Sequence, residues 1–364
     1  MNLRPAKNFV KKYFPDLLLR TTKYAYYVLS GVLFVSRINK YLPYYQDELS
    51  REVLSARINY LKTGDLNIFL DLAEKSGIMF KNPEGITTEI TNIVIIYDKD
   101  GKNFKYACRV LEMCGWSGKY RTLTLEDFLN GGNISAGELV YFVLTKGGLK
   151  RFDSFIKKKN NDVKFTLLRG APYAVRNDLQ YFDVFTPDDD EIIVDCGAYD
   201  GSTALQFLEW GRGKVKKVYS FEFDPVNASR CEENLKDYGD KVTLIKKGTW
   251  DRDEIFYVKT LGTGSSSINT EGDTEVHLTA IDNIVKDKKV TFIKMDVEGA
   301  ELKSLQGAKN TIKKNHPRLA ICVYHTREDL YEIPEYILSL VPEYKFYLRH
   351  YSSRDWETVL YAFC

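Results

Sequence analysis

Glu191-Ile-Ile-Val-Asp-Cys-Gly-Ala-Tyr-Asp-Gly-Ser-Thr203 decides the fold. Ile192-Ile193-Val194 is a β-branched run between acidic residues, the pattern of a strand buried on both faces. Asp195 reads as the strand's end, and Gly197 and Gly201 punctuate a tight turn. Ser202-Thr203 lead into an apolar-periodic segment at Ala204, Leu205, Phe207 and Leu208. Strand, glycine turn and helix in this order place a small ligand at the carboxyl end of a parallel sheet. Gly197 would let the backbone approach that ligand, where a Cβ would clash.

The next unit strengthens this reading. Lys217-Val-Tyr-Ser-Phe221 is a second strand with Glu222 at its end. An acidic residue about 20 positions past a glycine turn can accept hydrogen bonds from ribose hydroxyls. A dinucleotide site wants a third glycine, which is missing, and Asp195 and Asp200 would repel a diphosphate. A cationic ligand suits carboxylates better, and S-adenosylmethionine, a sulfonium with an α-amino group, is one.

Four segments follow in order: Asp195-Cys-Gly-Ala-Tyr-Asp-Gly-Ser-Thr203, Phe221-Glu-Phe-Asp-Pro225, Ile293-Lys-Met-Asp-Val-Glu-Gly-Ala-Glu301 and Leu319-Ala-Ile-Cys-Val-Tyr-His325. Together they resemble the FkbM-type S-adenosylmethionine-dependent methyltransferases over about residues 180–364. The resemblance implies a Rossmann-like class I methyltransferase domain with a mostly parallel seven-stranded sheet and an antiparallel end. The set expected at the cofactor is Asp195, Gly197, Ala198, Tyr199, Asp200, Gly201, Ser202, Glu222, Asp224, Thr249, Trp250 and Asp296. Within it, Gly248-Thr-Trp-Asp251 is where an adenine could be edged by backbone.

At 364 residues the chain has room for two or three domains. Residues 1–88 read as helical, from the spacing of Val53, Leu54, Ile58 and Leu61 and from a second helix over 66–75 that stops at Gly77. They read as a cap or dimerisation element. Residues 89–178 read as a small Rossmann-like α/β domain, with strands at 92–97 and 139–144 and a helix at 104–113. Its turn has only Gly101, so no working cofactor site is expected there. Residues 179–364 form the methyltransferase domain. Inside it, Gly262-Thr-Gly-Ser-Ser-Ser267 is a small polar loop that either covers the acceptor or is a plain surface hairpin.

The net charge of +2, from 52 basic and 50 acidic residues, argues against bulk-charge binding of nucleic acid. The six cysteines show no Cys-x-x-Cys spacing and read as buried free thiols of a reducing, cytoplasmic protein. The apolar stretch from Leu17 to Val35 carries Arg20 and Lys23 and falls short of a membrane span. It leaves open contact with a membrane surface, and a homodimer stays open too.

Asp296 ends the strand at 290–295 and His325 ends the strand at 318–324, both on the ligand side. An alcohol acceptor must lose a proton, and His325, with an ordinary pKa of about 6.5, is the natural base. Asp296 is the alternative base or orients His325. Glu298 and Glu301 begin a helix, where carboxylates also suit the dipole. Asp296 with Glu298 could hold a divalent cation, but two carboxylates are a thin basis, and no metal is expected. The leading function is O-methyl transfer to a sugar, glycan or other hydroxylated metabolite. A nicotinamide-dependent oxidoreductase and a non-catalytic acceptor-binding scaffold are the alternatives.

Overall fold

A computed structural model describes residues 34–75, 180–260, 262, 272–352 and 354–364. Between these it describes 92–97, 105–110, 119–131, 139–143, 150–151, 154 and 166–167. The glycine turn at 98–101, most of the 17–35 stretch and nearly all of the 262–267 loop lie outside the described residues.

Helix α1 (Glu48–Thr63) is opened by Asp47, whose carboxylate accepts from Ser50 N, and closed by Gly64 in the left-handed region. Helix α2 (Asn67–Lys75) follows. Strands β1 (Asn92–Tyr97), β2 (Lys119–Thr124), β3 (Leu139–Val143) and β4 (Thr166–Leu167) form a parallel sheet in the order β2-β1-β3-β4. The short helix α3 (Leu125–Leu129) leaves β2.

The larger sheet is built from β5 (Glu191–Cys196), β6 (Val215–Phe221) and β7 (Val242–Ile245). A small three-stranded sheet follows, with β8 (Gly248–Thr249), β9 (Glu254–Val258) and β10 (Thr274–Thr279) in the order β8-β10-β9. The chain then returns with β11 (Phe292–Met295), β12 (Arg318–Cys322), β13 (Lys345–His350) and β14 (Thr358–Phe363). The seven-stranded order is β13-β14-β12-β11-β5-β6-β7, parallel except for β14, which runs antiparallel to both of its neighbours. This is the class I methyltransferase arrangement. The order reverses between β5 and β11, and open α/β sheets bind ligands at such a point.

The apolar runs are long because both faces are covered. One face packs Ile293, Met295, Ile321 and Leu348 beneath the amino-terminal helices and α9 (Asp329–Leu340). The other packs Phe292, Ala320 and Tyr361 against Phe207 of α4 (Ser202–Gly211). Between β6 and β7 lies α5 (Pro225–Leu235); α6 (Ile281–Val285), α7 (Glu301–Gly307) and α8 (Lys309–Asn315) complete the layers.

The helices read from the sequence as a cap or dimerisation element pack on this sheet. Leu348 N donates to Ser50 Oγ at 2.9 Å, and Arg349 pairs with Asp47 at 2.5 Å, so α1 covers the outer strand β13. Buried Arg57 donates to the carbonyl of Asp355, and Tyr60 Oη donates to its carboxylate at 2.7 Å. Both contacts hold the β13–β14 loop, which reaches the site described next.

Candidate active site

A cleft of about 500 Å³ opens at the carboxyl ends of β5 and β11. Gly197, Tyr199 and Ser202 of the glycine turn form one wall. Asp296 and Glu298 form the second, and Tyr181, Tyr324 and Glu357 form the third.

The turn is fixed from behind. Gly197 N and Ala198 N both donate to Phe221 O, at 3.1 and 3.0 Å. Gly197 has φ +79°, and a Cβ there would lie 1.9 Å from the carbonyl oxygen of Asp296. The glycine therefore serves the approach of two neighbouring chain segments as well as lining the cleft. Tyr199, at φ +54° and 40% exposed, donates its N–H to Glu222 Oε2 at 2.8 Å. Asp224 N donates to Glu222 Oε1 at 2.9 Å. Burial pushes the Glu222 carboxyl up to about 7 against the pull of these two bonds.

Asp195 does not end its strand and does not face the cleft. It is fully buried within β5, and its Oδ1 lies 3.1 Å from Lys294 Nζ. The same ammonium donates to Cys196 O at 3.2 Å and to Gly197 O at 2.8 Å. Burial alone lowers the Lys294 pKa, but Asp195 and Asp296 outweigh it and hold the ammonium charged. The expected carboxylate lining by Asp195 is thus corrected: its charge meets an internal cation.

Other expected cofactor residues have structural occupations. Asp224 caps α5, accepting from Val226 N at 2.9 Å, and also accepts from Gly262 N at 3.0 Å. Asp200 accepts from Ser202 N at 3.0 Å, and Gly201 is the N-cap of α4. Ala198 is buried in the core. Thr249 is buried with its Oγ1 2.6 Å from Ser304 Oγ, so its side chain faces inward. Trp250 packs against Phe256, with Lys303 Nζ 5.7 Å from its ring.

Asp296 is held by two phenols. Tyr181 Oη donates to Oδ2 and Tyr324 Oη to Oδ1, each at 3.1 Å. Burial, then the charge of Asp296, raises both phenol pKa values, so both remain donors. Tyr181 sits at φ +75°, its N–H donated to Tyr361 Oη at 2.9 Å. Gln180 Nε2 bridges Tyr181 Oη at 2.9 Å and Glu357 Oε2 at 2.5 Å. Sequence reasoning gave neither tyrosine a role; Tyr181 lies in the aromatic run at 179–185 and Tyr324 directly precedes His325 in the 319–325 segment.

His325 stands among carboxylates. Its Nδ1 is 3.0 Å from Glu301 Oε1, and its Nε2 is 3.6 Å from both Asp296 Oδ1 and Glu298 Oε2. Burial lowers its pKa, but Glu298, Glu301 and Asp296 overcome this and lift it to about 11. An imidazolium has no lone pair to accept a proton, so these surroundings oppose the general-base role expected for His325. One donor atom each from Asp296, Glu298 and His325 lies within 4.8 Å of the others, the compactness a metal ion requires. The sequence reading, which expected no metal, had paired only the two carboxylates.

Among the described residues no helix is long and apolar enough to cross a membrane. The five described cysteines are all free, and Cys196, Cys231 and Cys322 are buried.

Residues 195–351 match the family described as the Methyltransferase FkbM domain. The 2-O-methyltransferase NoeI of Sinorhizobium fredii is 28% identical over 183 residues, covering 43% of this chain and 73% of that protein. The ribosomal RNA small subunit methyltransferase H of Thermotoga neapolitana is 34% identical over 90 residues, covering 25% of this chain and 28% of that one. A crystal structure of methyltransferase FkbM from Methylobacillus flagellatus aligns with a TM-score of 0.47 at 20% identity, covering 82% of this chain and 98% of that chain.

Proposed function

We propose, from the premise that residues 195–351 are an FkbM methyltransferase domain and the protein an S-adenosylmethionine-dependent methyltransferase, that the methyl group goes to a hydroxyl oxygen of a sugar, glycan or similarly hydroxylated metabolite. The observation that carries the reading is the cleft at the β5/β11 reversal, with the glycine turn on one side and Asp296 on the other. The printed activity of NoeI, 2-O-methyl transfer, supports oxygen as the acceptor atom.

In this reading the cofactor lies over Gly197–Ser202, and its ribose hydroxyls donate to Glu222. The adenine lies toward the backbone of Thr249 and Trp250. Asp296 faces the acceptor, and the two phenols keep its carboxylate in one orientation. Methyl transfer is an in-line displacement: the acceptor O–CH3 bond forms, the S–CH3 bond breaks and the neutral thioether leaves. Holding nucleophile and methyl group close and aligned supplies much of the rate. His325 is a positioning residue here, held charged by Glu298, Glu301 and Asp296. The small α/β unit at 89–178 is read as having no second cofactor site.

The test is calorimetric titration with S-adenosylmethionine and S-adenosylhomocysteine, followed by incubation with a panel of glycans and hydroxylated metabolites under mass detection. Binding of both, with methylation of oxygen, is expected. Binding of NAD in place of either would defeat the reading.

A further inference from the structure

We infer that Asp296, Glu298 and His325 form a site for a divalent first-row transition cation facing the cleft, with Glu301 fixing the imidazole from behind. His325 is the observation that separates this site from an ordinary acidic cluster. Its side chain is only 9% exposed, and neither ring nitrogen makes an aligned hydrogen bond. Nε2 points at Asp296 Oδ1 and Glu298 Oε2 from 3.6 Å. That is too far for a hydrogen bond and suits two ligands of one ion. With metal–ligand bonds of about 2.1 Å, ligands at right angles stand roughly 3.0 Å apart and opposite ligands roughly 4.2 Å.

The surroundings of each ligand match this use. Glu301, whose side chain is fully buried, brings Oε1 to within 3.0 Å of Nδ1. Its Oε1 also accepts from Val297 N at 2.9 Å, which fixes the carboxylate. A cation bound at Nε2 would displace the proton there, and a carboxylate this close to Nδ1 is the partner that takes the remaining N–H behind a metal-bound imidazole. Tyr324 and Tyr181 orient Asp296 in the same way. Glu298 sits at φ +53°, a left-handed conformation that a glutamate adopts at some cost. This geometry comes two residues after Asp296 and brings the second carboxylate back beside the first. An imidazole nitrogen among the ligands favours iron or zinc over magnesium and calcium, which prefer oxygen, and the two carboxylates also accept manganese.

The role of the cation rests on the methyl-transfer reading; the site itself does not. The acceptor hydroxyl occupies an open coordination position, its pKa falls, and its proton leaves to water at the exposed edge of Glu298. The alkoxide then takes the methyl group and the thioether departs.

The decisive experiment titrates Mn²⁺ into the full-length, chelator-stripped and dialysed protein and follows it by electron paramagnetic resonance. One equivalent per chain is expected, with nitrogen hyperfine coupling that disappears in His325→Gln. Glu298→Gln, at a partly exposed position, should weaken binding at least tenfold. Glu301→Gln should weaken it by about 10–100-fold, as changes behind a ligand do. Thermal melts establish that each variant is folded, and Glu298→Gln carries the test if His325→Gln is not. Absence of a bound equivalent, or equal binding by Glu298→Gln, overturns the site. In that case the imidazolium of His325 is itself the cation of the cluster. Calorimetry with S-adenosylmethionine on the same stripped protein separates failure of the cation site from failure of the cofactor reading.

Discussion

Lys294 stands directly opposite Asp195 in the β11–β5 ladder, with Nζ 3.1 Å from Oδ1 and neither side chain open to solvent. The ammonium also donates to the carbonyls of Cys196 and Gly197, so one buried cation anchors the strand end from which the glycine turn springs. Removing one partner of a buried pair leaves an uncompensated charge, a loss of about 3–5 kcal/mol. Lys294→Met should therefore lower unfolding free energy by that order in urea titrations. Lys294→Met with Asp195→Leu should recover a large part of it. A single variant as stable as the wild type would show that the pair does not hold the turn.

Burial lifts Glu222 to about 7, which ties cofactor affinity to pH. Ribose hydroxyls donate to the carboxylate and not to the acid, so binding strengthens as pH rises through 7 and then levels. Between pH 8 and pH 5.5 the ionised fraction falls about 30-fold, and the affinity for S-adenosylmethionine should fall with it. Glu222→Gln should bind more weakly at pH 8 and lose this dependence. A wild-type dissociation constant that is flat across the range would remove Glu222 from the ribose.

Strands were legible where apolar runs were bounded by turn residues: Asn92–Tyr97 falls where the sequence put it, and Leu139–Val143 ends one residue before the expected 144. The helix read at 66–75 begins one residue later, at Asn67, and ends where it was expected, at Lys75. Asp296 and His325 were legible as acidic and titratable residues at strand ends. Their partners were not. Lys294 looks like an interruption of an apolar strand until the ladder sets Asp195 across from it. Glu301 looks like a favourable helix-end charge until the fold brings His325 to it. Tyr181 reaches Asp296 only because its backbone takes a left-handed conformation that no local spacing announces. Period and turn chemistry fix elements, whereas pairings between distant strands decide what each strand-end side chain meets.

His350, at the end of β13, links α2 to the sheet. Its ring stacks on Phe69 with centroids 4.7 Å apart, and its Nδ1 lies 2.8 Å from Thr358 Oγ1. Burial, then the nearby Arg57 charge, depresses its pKa to about 3. A histidine kept neutral by folding contributes stability above its unfolded pKa of about 6.5. That contribution is lost as pH falls toward the folded value. At pH 5 the loss amounts to roughly 2 kcal/mol. Chemical denaturation at pH 7.5 and pH 5 should show this difference between wild type and His350→Gln. Parallel pH dependence in the two proteins would mean that His350 is not buried in its neutral form.

The two phenols on Asp296 give the most direct test of the acceptor side. Each donates one hydrogen bond to the same carboxylate, Tyr181 to Oδ2 and Tyr324 to Oδ1. Replacement by phenylalanine removes the hydroxyl and leaves the ring. The backbone bond that seats Tyr181, from its N–H to Tyr361 Oη, survives the change. A hydrogen bond to a charged group contributes about 1.5–3 kcal/mol, so each single variant should lower kcat/KM by roughly 10–100-fold. Cofactor affinity should stay within about twofold, because neither hydroxyl touches the glycine turn or Glu222. The double variant should lose less than the product of the two single losses, since both act through one carboxylate. Single variants that keep full kcat/KM, or that lose cofactor binding in step with turnover, would show that Asp296 is not oriented for the acceptor by this pair.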